Sequence, residues 1–97
     1  MTFETPPFDA ADHLKDPDAQ AELISDAIST GDARYIAAAL GTIARARGMT
    51  KVAKEAGVTR EALYKSLSTE GDPRLTTFLG VMKALGLTLS VSASKAA

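Results

Sequence analysis

Apolar residues recur along this chain with helical spacing, and polar residues mark where helices begin and end. Asp16-Pro17-Asp18 is a helix start, because it combines a capping carboxylate, a proline in the first turn and an acid near the positive end of the helix dipole. The helix predicted there runs to about Thr30 and stops at Gly31. Its apolar side consists of Leu23, Ile24, Ala27 and Ile28.

The same signals predict a second helix and a last one. Asp32 caps the second helix, which carries two arginines in its final turn before Gly48. The last helix runs from about Leu75 to Leu85 and ends at Gly86. Its predicted apolar face consists of Leu75, Phe78, Leu79, Met82 and Leu85. Both helices are expected to bury one side in a common core.

Between them, the segment GMTKVAKEAGVTREALYKSLS (residues 48–68) contains two short helices separated by a glycine turn. Thr50 is expected to cap the first and Thr59 the second, which reaches about Ser68. Gly57 permits the tight turn between them. Two short capped helices at this spacing are the helix-turn-helix pattern of DNA-binding proteins.

The second short helix has an apolar back and an outer face of hydrogen-bonding side chains. Arg60 and Tyr64 are expected to reach base edges, with Thr59 and Glu61 beside them, because recognition helices dock by their first residues. Arg60 suits a bidentate contact to guanine. The residues expected at phosphates are Thr50, Lys51, Lys65, Ser68 and Arg74. The alternative is a plain helical bundle whose polar face is only solvated.

The C-terminal residues 87–92 alternate between apolar and polar with period 2, which predicts a β-strand. An isolated strand leaves its backbone groups unpaired. We therefore expect it to pair with the same strand of a second copy, forming a homodimer with Leu87, Leu89 and Val91 packed inward. The alternative is a pairing with the N-terminal arm of the same chain.

The N-terminal third of the chain has a negative net charge, and the rest has a positive one. Residues 1–33 carry eight acidic residues and one basic residue, whereas residues 34–97 carry four acidic and ten basic. We predict an acidic N-terminal arm and first helix over 1–31, and a DNA-binding domain with the C-terminal strand over 32–97. The asymmetry favours one basic and one acidic partner. The alternative is that each charged surface is merely solvated.

Composition argues against an enzyme. The chain has 97 residues and a mass of 10.1 kDa, which allows one small core, and it has no cysteine. His13 is the only histidine, the serines lack a base, and no phosphate-binding glycine motif occurs. We expect no metal and no cofactor. No segment has the pattern of a signal peptide or a membrane span, so a cytoplasmic protein is expected.

The run ALGTIARARGMTKVAKEAGVTREALYKSLSTEGDPRLTTFLGVMKALGLTLSV, extended back through FDAADHL, resembles the addiction-module antidote family. The residue pattern predicts an all-α fold of five helices, and the resemblance implies that they form a domain of the Cro/phage-repressor type. It also implies an antitoxin that binds a small basic RelE/ParE-like toxin and represses its own operon on double-stranded operator DNA. The resemblance does not specify the toxin contacts, and the charge asymmetry predicts that they include Asp9, Asp12, Asp18, Glu22 and Asp26. The alternative is a stand-alone transcription regulator without a toxin partner.

Overall fold

The computed structural model describes residues 16–94, and within this range the chain forms five helices and no strand. The helices are α1 (Pro17–Thr30), α2 (Ala33–Arg47), α3 (Met49–Ala56), α4 (Arg60–Ser66) and α5 (Leu75–Ala84). The prediction of five helices is confirmed. The N-terminal arm before Asp16 lies outside the described residues, together with Asp9 and Asp12.

Local side-chain caps fix three of the helix starts. The Asp16 carboxylate accepts from the amide of Asp18 at 3.4 Å, at the start of α1. The Asp32 carboxylate accepts from the amide of Arg34 at 3.0 Å, and the Thr59 hydroxyl accepts from the amide of Ala62 at 3.0 Å. Each cap pairs a backbone donor that the helix leaves free. These three caps were predicted from the residue types alone.

The predicted cap at Thr50 is wrong. α3 begins at Met49, directly after Gly48, and its first turn has no side-chain cap. The amide of Val52 donates to the carbonyl of Gly48 at 3.0 Å, so Thr50 already lies inside the helix. The reason is that α2 and α3 are separated by a single residue, Gly48, whose φ of +106° gives the change of direction.

The five helices share one core, to which each contributes buried apolar side chains. α1 packs against α2 in the same cluster, so the acidic helix is part of the folded body. In the described part of the chain, no buried side-chain nitrogen or oxygen lacks a hydrogen-bond partner. The most deeply buried members of the core include Ile24, Leu40, Ile43, Val52, Leu63, Leu67, Val81 and Leu85.

The apolar face predicted for α5 is partly wrong. Met82 is buried, but Leu75 and Leu79 are 69% and 47% exposed. Val81, which was not on the predicted face, is fully buried. α5 is therefore rotated, so that the row through Val81 faces α3 and the row through Leu75 and Leu79 faces outward. The close approach of Gly80 to Ala56 of α3 accompanies this rotation: a β-carbon at Gly80 would lie 3.2 Å from the Ala56 carbonyl oxygen.

The predicted dimerising strand over residues 87–92 is also wrong, since the described chain has no strand there. After α5 the amide of Leu87 donates to the carbonyl of Met82 at 2.9 Å, which closes the helix end, and Leu87 packs on the core. Leu89 and Val91 are 45% and 93% exposed. A strand exists only as one member of a hydrogen-bonded ladder, and residues 16–94 supply no second member.

Arg47 links three helices at one end of the molecule. Its Nη1 donates to Oε1 of the buried Gln20 of α1 at 3.0 Å and to the carbonyl of Leu85, beyond α5, at 3.3 Å. A charged donor shared by two acceptors in a half-buried place contributes more than a neutral hydrogen bond. Arg47 therefore holds the acidic helix α1 against the end of α5.

Replacing Arg47 by alanine is expected to lower the free energy of unfolding by about 1–2 kcal/mol, because two buried acceptors lose a charged donor. Urea denaturation of the full chain measures the change. Arg45→Ala is the matched control, since Arg45 is exposed two residues away and its change should stay within about 0.5 kcal/mol. Equal losses in the two variants would contradict the linking role of Arg47.

Candidate nucleic-acid interface

The turn between α3 and α4 is closed by backbone hydrogen bonds. Gly57 has φ of +78°, and its amide donates to the carbonyl of Lys54 at 3.2 Å. The amide of Val58 donates to the carbonyl of Ala53 at 3.0 Å. This pair of bonds is the Schellman arrangement, which ends α3 at a left-handed glycine, and α4 begins three residues later. The angle between the two short helices is therefore fixed by backbone geometry.

Buried side chains hold α4 in place from behind. Leu63 and Leu67 are almost fully buried in the core. Gly41 of α2 lies against the end of α4, so closely that a β-carbon there would collide with the carbonyl oxygen of Leu67. Gly41 is not among the residues that the sequence predicts at this interface. A glycine in the middle of a well-formed helix is the signal that was available, since it often marks close packing.

Five of the residues predicted to contact DNA lie together on the exposed outer face of α4. Within it the Arg60 guanidinium carbon lies 5.4 Å from the centre of the Tyr64 ring, and Arg60 Nη2 is 3.5 Å from the Tyr64 hydroxyl oxygen. The hydrogen bond with Tyr64 raises the pKa of Arg60 above its usual value. The exposed residues of this face are Thr59, Arg60, Glu61, Tyr64 and Lys65.

The other predicted phosphate contacts lie on neighbouring elements. Thr50 and Lys51 are exposed in the first turn of α3, and Arg74 is exposed at the start of α5. Ser68 is half-buried, and its hydroxyl donates to the carbonyl of Lys65 at 3.0 Å and accepts from the amide of Glu70 at 3.3 Å. Ser68 is therefore committed to the turn after α4.

A second exposed surface lies on α1. Asp18, Glu22 and Asp26 follow one another at i, i+4 and i+8 and are all exposed. Within residues 16–94 no group of acidic or histidine side chains is arranged to hold a metal ion. None of the helices described is long and apolar enough to cross a membrane. The candidate functional surfaces among residues 16–94 are the outer face of α4 and the acidic row of α1.

Comparison with known proteins identifies the class. A family model described as a probable addiction module antidote protein matches residues 4–93. Antidotes of this kind are the antitoxins that counteract the toxin of an addiction module. The chain belongs to the addiction module antidote family. An uncharacterized protein of Haemophilus influenzae is 40% identical to it over 95 residues, which cover 98% of both chains. No solved structure matches the chain.

Proposed function

We propose that this antitoxin binds operator DNA through α3 and α4, acting as a helix-turn-helix, and represses its own operon. The observation that carries the proposal is the Arg60–Tyr64 pair on the exposed face of α4. A charged, planar donor held over a ring near the start of a helix suits the O6 and N7 acceptors of guanine in the major groove. The exposed Lys51 and Lys65 supply positive charge for phosphates.

The DNA-bound form in this proposal is a homodimer. Two copies related by a two-fold axis would place their α4 helices in successive major grooves, about 34–36 Å apart. The operator is then an inverted repeat. Sedimentation of the full chain with and without a repeat of this spacing measures the stoichiometry, and a single copy per repeat would contradict the dimer.

The same antitoxin, in our proposal, neutralises a RelE/ParE-like toxin by direct binding through the acidic row of α1. Three carboxylates on one side of a free helix repel one another by a few tenths of a kcal/mol per pair. A basic surface on the partner converts this repulsion into attraction and speeds association. The proposal also assigns toxin binding to Asp9 and Asp12, which lie outside the described residues.

The experiment that tests the antitoxin function is growth after induction of the small reading frame beside this gene, alone and together with this chain. Arrest that the chain rescues supports neutralisation. The absence of arrest, with expression of both proteins verified, contradicts it and favours the stand-alone regulator. DNA binding is tested separately by the slope of log affinity against log salt, which should be about −0.9 per phosphate contact. A flat slope contradicts DNA binding and favours the plain bundle.

Reversing the acidic row, with Asp18, Glu22 and Asp26 all changed to lysine, is expected to weaken toxin binding by at least about tenfold at low salt. The reason is that three attractive charges become repulsive. At the solvent-exposed edge of an interface, charge acts mainly on the association rate. Surface plasmon resonance gives the association rate of the toxin with each variant. Reversal of Glu55 and Glu70, which are exposed outside α1, is the control. An unchanged association rate in the α1 variant would overturn the role of the row.

A further inference from the structure

A groove of about 310 Å³ runs between α1 and the segment that follows α5. One wall is the side of α1 that carries Ala21 and Ser25, and the other is formed by residues 86–90. Ile24 and Met82 line it from almost fully buried positions, Ile28 and Leu87 are half-buried, and Leu89 is 45% exposed. The groove is therefore an open channel that presents apolar side chains among polar ones.

Both walls of the groove are held by the fold. Arg47 binds Gln20 on the buried side of α1 and the carbonyl of Leu85, one residue before the second wall begins. Gly86 turns the chain with φ of +73°, and the amide of Leu87 is bonded to the carbonyl of Met82. A partner therefore meets a groove whose walls are already positioned, which lowers the ordering cost of binding.

The charge beside the groove is acidic. Asp18 lines the groove at one end, and Glu22 and Asp26 continue the row along the next side of α1. No lysine or arginine is among the described residues that line it. A channel that presents apolar side chains, with an acidic ridge along one side, is complementary to a segment that carries apolar side chains flanked by lysine or arginine.

We infer that this groove is the docking site for the toxin, which inserts apolar side chains between α1 and residues 86–90 and sets basic side chains on the acidic row. This inference rests on the proposed antitoxin function. Charge argues against two other occupants. In a two-fold contact a second copy would bring its own acidic row to the same patch, and the N-terminal residues 1–15 carry three acids against one lysine.

The inference is tested by filling the groove in the full-length chain and measuring the affinity for the purified toxin by isothermal titration calorimetry. Ala21→Trp places a large ring in the channel from an exposed position, so the fold should be kept. We expect a loss of at least about tenfold in affinity, as for a blocked apolar anchor. Ala33→Trp, exposed at the start of α2 outside the groove, should leave the affinity unchanged.

A second pair of variants acts from the opposite wall and leaves α1 untouched. Leu89→Ser removes the rim side chain and is expected to weaken toxin binding by about fivefold or more. Val91→Ser, at the first residue beyond the groove wall, is its matched control and should have no effect. Circular dichroism and melting of each variant verify that the chain is folded. Affinities that stay equal to wild type in both Ala21→Trp and Leu89→Ser would overturn the inference.

The remaining outcomes separate the possible occupants. Loss of a dimer in sedimentation of Ala21→Trp, at unchanged toxin affinity, would assign the groove to a second copy and overturn the inference. The double variant Phe3→Ser and Phe8→Ser tests whether the N-terminal residues occupy the groove in the free chain. If it shifts the amide resonances of Ser25 and Leu89, the groove is assigned to the N-terminal residues and the inference is overturned. If wild type itself fails to bind the toxin, the proposed function fails first and the docking site with it.

Discussion

Gly41→Ala is expected to lower the free energy of unfolding by about 2 kcal/mol. Alanine stabilises a helix by about 1 kcal/mol relative to glycine, so helix propensity alone predicts that the variant is more stable. The added β-carbon, however, meets the backbone carbonyl oxygen of Leu67, which cannot move aside as a flexible side chain can. Such overpacking costs about 1–3 kcal/mol, and a rigid backbone atom places this case near 3. Crowding therefore outweighs propensity.

Thermal or urea denaturation of the full chain measures this change, and a loss of about 2 kcal/mol corresponds to a fall in Tm of about 10 °C in a domain of this size. Gly80→Ala is the matched control, because its β-carbon would lie 3.2 Å from the nearest atom and needs only a small adjustment. The control should change stability by less than about 1 kcal/mol. If the Gly41→Ala variant were more stable than wild type, the end of α4 would not be in close contact with α2 at Gly41.

The Gly41 contact has a consequence for the DNA-binding surface. Gly41 lets the end of α4 lie directly on α2, and Leu63 and Leu67 then fix the rotation of α4 about its own axis. That rotation decides which side chains face outward. Because the proposed readers Arg60 and Tyr64 lie on the opposite side of the same helix, a variant that displaces α4 is expected to weaken operator binding as well as stability.

Local features of the fold could be predicted from the sequence, because they depend on residues close together in the chain. Asp16, Asp32 and Thr59 cap helices through hydrogen bonds to amides two or three residues away. The exposed pair on α4 follows in the same way, since Arg60 and Tyr64 are spaced at i and i+4. Such interactions hardly depend on what packs against the helix.

Features that depend on which elements pack against one another could not be predicted from residues close together in the chain. The repeat of leucines in α5 allows more than one face to be buried, and the close contact with α3 selects the row through Val81 and leaves Leu75 exposed. The alternation in residues 87–92 fits a strand, but a strand needs a partner that the sequence does not specify. The groove beside α1 is likewise formed by two segments about 60 residues apart in the chain.

On operator DNA, Arg60→Ala is expected to cost about 1–3 kcal/mol, which is about 5-fold to 150-fold in affinity, and to relax the preference at one base pair. The reason is that the guanidinium is held over the Tyr64 ring at 5.4 Å, with its hydrogen-bond donors at the exposed face of α4. Holding the side chain in one place reduces the entropy lost on binding. Fluorescence anisotropy with the operator and with single-base variants measures both effects.

Lys51→Ala separates base reading from phosphate binding in the same assay. Lys51 is exposed in the first turn of α3, so its loss should weaken binding to all sequences alike and reduce the salt slope by about 1. Tyr64→Phe keeps the ring under Arg60 and should preserve the base preference, whereas Tyr64→Ala should reduce it. If Arg60→Ala and Lys51→Ala cause equal losses on every sequence, Arg60 binds phosphate and the base must be read by another residue of α4.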